Sequence, residues 1–263
     1  MNAERSTNQS VDRALSVLTL FTSNSPSLRV SDVASGLGLG VSTASRLLAT
    51  LEESGFLHKD SKSQRYELGQ QIISLGGVAL NNEPIYRNSR AVTQRLAWEL
   101  GLGANVAVRQ GTVLRYLQNV EGPMAPKSYT LLGQTNPLHA TGMGKALMLD
   151  LSASEREALL GSEDLPAYTT NTIVSHSDLE VELQRSSERG YCTEINELAL
   201  GRACIAAPIR DFTGQVVAAI SLSGALSAIN LTEREAELAR IIIEAADTIS
   251  VASGYLSPQP QHR

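Results

Sequence analysis

The sequence predicts an α+β protein with two domains, a small helical domain carrying a β-hairpin and a larger antiparallel-sheet domain. Near the N-terminus, two amphipathic helical stripes separated by a glycine are followed by a hairpin pattern. Beyond residue 100, short alternating segments joined by tight turns are typical of a meander with helices on one face. We divide the chain into a flexible N-terminus (1–9), a first domain (10–69), a linker helix (70–84), a second domain (85–255) and a flexible tail (256–263).

The composition limits the class of protein. A chain of 263 residues with 42% hydrophobic content can bury a substantial core, and its net charge of −5 restricts any nucleic-acid contact to a local basic cluster. Cys192 and Cys204 have no metal-ligand spacing, so we expect no metal and no cofactor. Neither a run of about 18 apolar residues nor a signal-peptide pattern is visible, which predicts a cytoplasmic protein without a membrane partner.

Three helices are predicted in the first domain. The first ends near Ser25-Pro26, the second begins at a cap on Ser31, and the third begins at a cap on Ser42. Gly38 permits a tight reversal between the second and third helices, and Gly55 ends the third. The apolar stripes of the three helices are, in order, Val11, Ala14, Leu15, Leu18 and Phe21; Val33, Ala34 and Leu37; and Ala44, Leu47, Leu48 and Leu51.

A basic hairpin is predicted after the third helix. Apolar segments 56–58 and 66–68 flank a polar tip that carries Lys59, Lys62 and Arg65. The order helix, glycine turn, helix and basic hairpin is that of a winged helix-turn-helix, whose second helix enters the DNA major groove. The same elements also occur in folds where they only pack. If the domain binds DNA, we expect Thr43, Ser45 and Arg46 to reach base edges, and Ser42, Lys62 and Arg65 to position phosphates.

The linker region reads as a helix with an interruption. Apolar residues from Leu68 to Val78 predict a helix broken at Gly76-Gly77, with residues 81–84 as a linker, and this region can be a mere spacer. A helix over 85–101 follows, and its Trp98 favours core or dimer packing over a ligand platform.

The second domain alternates between predicted strands and helices. Its last helix begins after an N-cap at Thr232, and Ser175 or Ser177 caps an earlier one. The predicted strands are 105–110, 113–121, 127–132, 191–195, 204–210 and 215–223, and the helices before the last are 151–160 and 178–189.

Two segments of this domain carry candidate binding chemistry. Gly142 and Gly144 stand at the start of a predicted helix, where exposed N–H groups and the helix dipole favour an anion, although such glycines are also common in ordinary loops. On the last strand, period-two alternation places Ser221 and Ser223 on one face with Val217 and Ala219. Two hydroxyls at this spacing can donate to both oxygens of one carboxylate, or they can simply face solvent.

Several motifs resemble the IclR family of bacterial transcriptional regulators, in the family's order and over about nine tenths of the chain. In the first domain these motifs are VDRALSVLTLF, SDVASGLGL and STASRLLATLEESGFL. Farther along they are PLHATGMGKALM, NTIVSHSDLEVELQRSSERGY, GRACIAAPIRD and AAISLSG.

The resemblance implies a winged helix-turn-helix, a linker helix that also joins subunits, and a GAF-like domain that binds a small organic acid. The acid would lie between the glycine-containing loop and the last strands. The positions that match the family's pocket are Gly142, Met143, Glu194, Cys204, Ser221 and Ser223.

The sequence departs from the family pattern at a few of these positions. Ser128 and Asn136 stand where aliphatic residues line the pocket in members that bind glyoxylate or pyruvate, so a larger or more polar effector is expected. Glu194 replaces a more usual aspartate and narrows the pocket. Val41 and Ser45 replace a lysine and a large ring of the reading helix, so the operator sequence does not transfer from relatives.

The interpretation is a ligand-responsive DNA-binding transcriptional regulator and not an enzyme. We expect it to repress a catabolic operon, to bind a pseudo-palindromic double-stranded operator as a homodimer or homotetramer, and to sense a small organic or aromatic acid. The alternatives are a transcriptional activator, a protein-interaction sensor whose helix-turn-helix only packs, and a hydrolase using Cys204, His139 and Glu194. The hydrolase lacks a nucleophile-elbow motif around the cysteine.

Overall fold

The computed structural model describes residues 8–125 and 132–256. Contacts within the chain separate two units, which divide between Asn81 and Asn82. The predicted α+β class is confirmed, with a winged helix-turn-helix in the first unit and an antiparallel-sheet domain in the second.

Among the described residues, the first unit contains four helices and a three-stranded antiparallel sheet of order β1-β3-β2. Its core forms where the first three helices pack on this sheet, around Val17, Val33, Leu48 and Leu57. Its elements are α1 (Gln9–Thr19), β1 (Ser27–Leu28), α2 (Val30–Gly36), α3 (Val41–Glu53), β2 (Leu57–Lys59), β3 (Tyr66–Leu68) and α4 (Gln70–Asn82). The hairpin β2–β3 and the reversal at Gly38, where φ is +62°, agree with the sequence prediction.

The predicted helix caps at Ser31 and Ser42 are wrong. The caps of α2 and α3 lie two residues earlier than predicted, because the extended residues that precede the helices are Arg29 (ψ 164°) and Gly40 (ψ 144°). The Asp32 carboxylate accepts a hydrogen bond from the Arg29 N–H at 2.8 Å, so a residue inside the first turn satisfies the helix start.

The first helix is shorter than predicted, and of its predicted apolar stripe Ala14, Leu18 and Phe21 pack on the core. It ends at Thr19 rather than near Ser25-Pro26, because a bridge between Thr22 and Ser25 turns the chain into β1. Val17 is fully buried, whereas Val11 and Leu15 are 53% and 59% exposed. Apolar residues occupy two faces of α1, and the small first unit covers only the face centred on Val17.

The predicted break at Gly76-Gly77 is also wrong, since α4 runs without interruption from Gln70 to Asn82. A glycine costs a helix only about 1 kcal/mol relative to alanine, which is too little to end one by itself. No residue of α4 is buried, and Ile73, Leu75 and Val78 are exposed.

The second unit is built on a six-stranded antiparallel sheet of order β6-β5-β4-β9-β8-β7. The hairpin that turns at Gly111 and the one that turns at 211–214 agree with the sequence prediction. The elements are α5 (Pro84–Leu100), β4 (Gly103–Gln110), β5 (Val113–Glu121), β6 (Thr135–Pro137), α6 (Gly142–Ala146), α7 (Ala153–Leu160), α8 (His176–Arg189), β7 (Cys192–Ile195), β8 (Arg202–Arg210), β9 (Val216–Ala225), α9 (Leu226–Ile229) and α10 (Leu231–Ala252).

Helices cover both faces of this sheet, so the prediction of helices on one face is wrong. Helices α5 and α10 pack on one face around Ile205, Ile220 and Leu222. On the other face α6 and α8 pack around Ala206 and Ala219. Because β8 is apolar on both sides over most of its length, exposure of either face would leave a large hydrophobic surface in water.

Smaller corrections concern the ends of elements. Asn230, with φ +42°, occupies the cap position of α10, so the predicted cap at Thr232 is wrong. A β-bulge on β9 turns Val217 to the face opposite Ala219, because Ile209 pairs with Ala218 and Arg210 with Val216. The predicted strand 127–132 lies outside the described residues except for Leu132.

Trp98 is 82% exposed, so it does not belong to the core of the protomer. Its predicted role in dimer packing stays a prediction.

Candidate functional site

The exposed face of α3 forms a polar surface. Ala44, Leu48 and Leu51 are buried against the first unit and fix the helix orientation. Ser42, Thr43, Ser45 and Arg46 are therefore on the exposed side. The Arg46 side chain makes no hydrogen bond or ion pair with any residue that the structure describes, which leaves its guanidinium donors available to an external acceptor.

The tip of the β2–β3 hairpin exposes one of its cations to solvent. Lys62 is exposed in a turn held by Asp60, whose Oδ1 accepts the Ser63 N–H at 2.7 Å. This hydrogen bond is the main cause that lowers the pKa of Asp60. The Lys59 ammonium lies 5.4 Å from the centre of the Tyr66 ring, in cation–π geometry.

Arg65 is engaged within the first unit. Its Nε donates to Ser27 Oγ at 3.0 Å, its Nη2 donates to the Ser27 carbonyl at 3.1 Å, and the same Nη2 lies 3.8 Å from Asp32. Arg65 therefore ties the hairpin to β1 and to the start of α2. Arg65 lies in the same hairpin as Lys62, and its expected contact with a DNA phosphate stays a prediction.

A polar patch lies on the face of the second unit's sheet that packs against α6. Glu194, Cys204 and Ser223 are successive partners across β7, β8 and β9. The adjacent row places Ser221 directly opposite Asn105 of β4. Since paired residues point to the same side of a sheet, the two rows place these side chains together.

The start of α6 lies against this patch. A Cβ added to Gly142 would be 2.8 Å from Cys204 Sγ and 3.5 Å from Ala206 Cβ, so the approach requires glycine. Thr141 Oγ1 accepts the Gly144 N–H at 3.1 Å and caps the helix. Met143 packs in the adjacent core. The structure thus brings together the predicted residues Gly142, Glu194, Cys204, Ser221 and Ser223.

The serines and their neighbours are buried polar groups. Ser221 is 1% exposed and Ser223 is half-buried. Asn105 Nδ2 donates to Ser221 Oγ at 3.4 Å and to Ser223 Oγ at 3.0 Å. Within the part of the chain that the structure describes, neither serine hydroxyl donates a hydrogen bond. A buried donor and a half-buried donor that both lack an acceptor among these residues favour a ligand that supplies one.

Burial dominates the ionisation of the patch. Burial raises the pKa of the Cys204 thiol to about 12, so this thiol stays protonated at neutral pH. Burial also raises the pKa of Glu194, whose Oε1 accepts the N–H groups of Glu197 at 2.7 Å and Leu198 at 3.2 Å. Glu194 therefore holds the loop between β7 and β8 in place.

Asn136 lies on β6, and its amide donates to the Tyr116 hydroxyl at 3.1 Å. It lines a cleft of about 570 Å³ together with His139 and Tyr168. The imidazole Nε2 of His139 lies 2.9 Å from the Pro166 carbonyl, and burial lowers the pKa of His139. This agrees with a structural histidine. Ser128 lies outside the described residues.

Sequence reasoning missed two polar groups of this region. Asn105 is 2% exposed within an apolar strand, and that interruption is the signal that could have revealed it. Lys145 is 1% exposed, and its Nζ lies 2.6 Å from Glu197 Oε1 and donates to the Thr193 carbonyl at 3.2 Å. Burial raises the pKa of Glu197. Only the tertiary structure shows this ion pair, because its partners are far apart in sequence.

Among the described residues, His, Cys, Asp and Glu side chains form no group of three that could hold a metal ion. None of the helices described is both long and apolar enough to span a membrane.

A winged helix-turn-helix with an exposed polar reading helix, joined to a sheet domain with a buried polar patch, defines a ligand-responsive DNA-binding transcriptional regulator. Residues 10–61 match the IclR helix-turn-helix domain, and residues 77–251 match the model described as the bacterial transcriptional regulator IclR C-terminal domain. The chain belongs to the IclR family of bacterial transcriptional regulators.

Named relatives and solved structures agree with this assignment. The chain is 30% identical to the HTH-type transcriptional regulator XynR of Escherichia coli K12, over 94% of this chain and 98% of XynR. It is 32% identical to the HTH-type transcriptional repressor AllR of the same strain, over 94% and 90%.

Solved structures match over nearly the whole chain. An IclR regulator from Alicyclobacillus acidocaldarius has a TM-score of 0.83 and 27% identity, covering 94% of this chain and 100% of that one. An IclR homolog from Microbacterium hydrocarbonoxydans, solved with 4-hydroxybenzoate, has a TM-score of 0.81 and covers 92% and 98%. At 22% identity, the latter shows likeness of fold alone.

Proposed function

We propose that this protein represses a catabolic operon by binding a pseudo-palindromic operator, and that a small organic or aromatic acid binding at the serine pair changes operator affinity. The observation that carries the effector half is the hydroxyl pair of buried Ser221 and half-buried Ser223, which have no acceptor among the described residues. A carboxylate supplies two acceptors at once.

The DNA half rests on α3 and the hairpin. Thr43, Ser45 and Arg46 face outward on the helix that enters the major groove in this fold class, and Ser42 lies at its start. The proposed phosphate contacts of the hairpin are Lys62 and Arg65. A dimer doubles these few contacts, which gives a protein of net charge −5 enough local attraction for DNA.

The pocket half extends beyond the serines. The proposed ligand lies at the serine pair, beside Gly142 and Met143 of α6 and the row Glu194, Cys204 and Ser223. Asn136 and Ser128 stay predicted lining residues. Because Asn136 is polar, an effector with a polar group beyond its carboxylate suits the pocket better than a bare two-carbon acid. The 4-hydroxybenzoate bound by the Microbacterium homolog is an acid of this kind.

Repression is proposed because the AllR relatives are transcriptional repressors. Acid binding and operator binding would be linked through the arrangement of subunits in a homodimer or homotetramer, with the same coupling factor in both directions. We expect a protein that binds operator DNA to act in the cytoplasm.

Catalysis is not part of the proposed function. A cysteine nucleophile requires a thiolate, and burial raises the pKa of Cys204 to about 12. His139 would have to be the base of such a hydrolase, and its imidazole Nε2 is hydrogen-bonded to the Pro166 carbonyl.

The test is fluorescence anisotropy of the full chain on DNA upstream of its own gene, titrated with aliphatic and aromatic acids that include pyruvate and 4-hydroxybenzoate. We expect one acid to change operator affinity by at least about fivefold, the lower range of allosteric coupling. The double variant Ser221→Ala, Ser223→Ala should bind the operator normally and lose the acid response. Ser227→Ala, an exposed serine on α9, is the matched control. A surviving response in the double variant would place the acid elsewhere.

A further inference from the structure

Asn105 lies where its amide can determine which ligand groups the two serines bind. It lies on β4 directly opposite Ser221, and its amide nitrogen is within hydrogen-bond distance of both serine oxygens, at 3.4 Å and 3.0 Å. Residue 103, which pairs with Ser223, is glycine, and a Cβ there would lie 3.0 Å from Ser223 Oγ. The backbone thus leaves room for the Ser223 hydroxyl beside the Asn105 amide.

A second asparagine fixes which end of the Asn105 amide faces the serines. Asn119 on β5 pairs with Asn105, and its Nδ2 donates to Asn105 Oδ1 at 2.8 Å. With its oxygen engaged by Asn119, Asn105 can present only its NH2 group to the serines. The three strands therefore carry a directional chain of donors from Asn119 through Asn105 to the serine oxygens.

This direction has a chemical consequence for the serines. Each serine oxygen already accepts a hydrogen bond from Asn105, so each hydroxyl hydrogen is left to donate elsewhere. A carboxylate, which only accepts, satisfies both hydroxyls. A primary amide carries an NH2 group, which is itself a donor. Because both serines already act as donors, this NH2 group finds no acceptor on them.

We propose that Asn105, oriented by Asn119, is the specificity-determining residue that makes the Ser221/Ser223 pair a donor site and so selects carboxylates over neutral amides. This inference rests on the proposed function, because it assumes that the serine pair holds the effector. It adds a residue outside the loop and the strand that carry the expected pocket, and it states what chemistry that residue selects.

The first test is Asn105→Asp. Aspartate at 105 accepts from both serine hydroxyls, which reverses them and leaves their oxygens as acceptors for a ligand. We would titrate the full chain by calorimetry with three pairs of probes, acetate and acetamide, pyruvate and pyruvamide, benzoate and benzamide. The acid that binds the wild type should lose about 10- to 100-fold in affinity, and its amide should gain about threefold to tenfold.

Charge repulsion alone would also weaken an acid, so the gain of amide affinity is the deciding result. Ser227→Asp is the control, because it adds the same charge at an exposed residue of α9, just after β9 and outside the proposed pocket. It should leave amide affinity within about twofold of the wild type. An equal amide gain in this control would overturn the proposal.

A second variant leaves Asn105 and both serines unsubstituted. Aspartate at position 119 has no donor, so Asn119→Asp should turn the Asn105 amide over and present its oxygen to the serines. The acid should weaken and the amide should strengthen, in the same direction as in Asn105→Asp. Asn119→Leu removes the partner without supplying an acceptor that reverses the amide, so its acid-to-amide preference should fall between those of the wild type and Asn119→Asp. Operator binding and the melting temperature report whether each variant is folded.

The outcomes separate this inference from the proposed function. If the wild type binds none of the acids, or if Ser221→Ala, Ser223→Ala retains acid binding, the proposed effector site fails and the role of Asn105 falls with it. If the serines hold the acid but Asn105→Asp and Asn119→Asp keep the wild-type preference, only the Asn105 inference is overturned.

Discussion

Small side chains create the polar patch of the second unit. Gly142 lets the start of α6 approach the Cys204 sulfur, and Gly103 leaves space beside the Ser223 hydroxyl. At Gly144 an added Cβ would lie 2.1 Å from the Leu138 carbonyl oxygen, so this position also accepts only glycine. Around these glycines the polar atoms of Asn105, Ser221 and Glu194 are buried and require partners.

Arg46→Ala should change operator preference at one base pair by about 1–3 kcal/mol, because the exposed guanidinium of α3 is free to bond a base edge. Competition binding with operators altered one base pair at a time measures this. Thr50→Ala, at an exposed residue one turn farther along, serves as the control. A uniform loss of affinity for every sequence would instead assign Arg46 to phosphate.

Glu194→Gln should make stability less dependent on pH. Burial raises the pKa of Glu194, so the folded state holds its proton more tightly than the unfolded state, and wild-type stability rises as pH falls through the raised pKa. Glutamine keeps the acceptor for the N–H groups of Glu197 and Leu198 and carries no charge. The variant should therefore be more stable than the wild type at pH 8, and the difference should shrink towards the ordinary pKa of a glutamate.

Urea unfolding of both proteins at several pH values measures the difference. Glu155→Gln is the control, since hydrogen bonds to Ser152 lower the pKa of this exposed carboxyl and reverse the sign. A wild-type minus Glu194→Gln difference that stays constant from pH 5 to 8 would contradict the role of the buried charge.

At the scale of elements, the hairpin β2–β3 combines an anchored base with an exposed tip. Arg65 fastens the base to Ser27 and Asp32, while Lys62 extends into solvent at the turn. Arg65 and Lys62, which are three residues apart, therefore have different roles in the free protein. The distinction depends on β1, a two-residue strand that pairs with β3 and that no sequence pattern indicated.

Lys62→Ala should weaken DNA binding evenly across sequences and reduce the slope of log K against log salt by about one unit per DNA-binding domain. Arg65→Ala should in addition lower the free energy of unfolding by about 1 kcal/mol, because it removes the two hydrogen bonds to Ser27. Salt titrations of operator binding and urea unfolding of both variants measure the contrast. Unchanged operator affinity in Lys62→Ala would remove the hairpin from the proposed interface.

At the scale of the whole molecule, the largest apolar residues that the protomer leaves exposed include several on α4 and α5. Ile73 is 75% exposed on α4, and Trp98 is 82% exposed on α5. Both belong to helices outside the proposed DNA and effector surfaces, which suits the proposed contacts between copies of the chain.

Ile73→Asp should leave the fold of the protomer intact and dissociate the proposed oligomer, because no residue of α4 is buried within the chain. Sedimentation velocity should show a shift to a smaller species, and operator affinity should fall as the doubled contacts are lost. Ser74→Asp, which adds the same charge at the next residue of α4, is the control. An unchanged sedimentation coefficient for Ile73→Asp would exclude α4 as a contact between subunits.

Local pattern by itself determined most of the elements of this protein. The stripe of α3, the turn at Gly38, the basic hairpin and the two hairpins of the large sheet all follow from periodicity and from residues with special backbone freedom. Such signals act over a few residues, so a linear chain displays them fully. The resemblance to the family rests on the same local motifs, and Ser221 and Ser223 could be singled out from alternation alone.

The tertiary structure decided what depends on partners distant in sequence. It shows which face of α1 is buried, that α4 is continuous, and that helices cover both faces of the sheet. It alone pairs Lys145 with Glu197 and places Asn105 between Asn119 and the two serines. Burial and hydrogen bonding between residues far apart in the chain arise only when strands and helices are assembled, and they set both the pKa of Glu194 and the direction in which the serine hydroxyls donate.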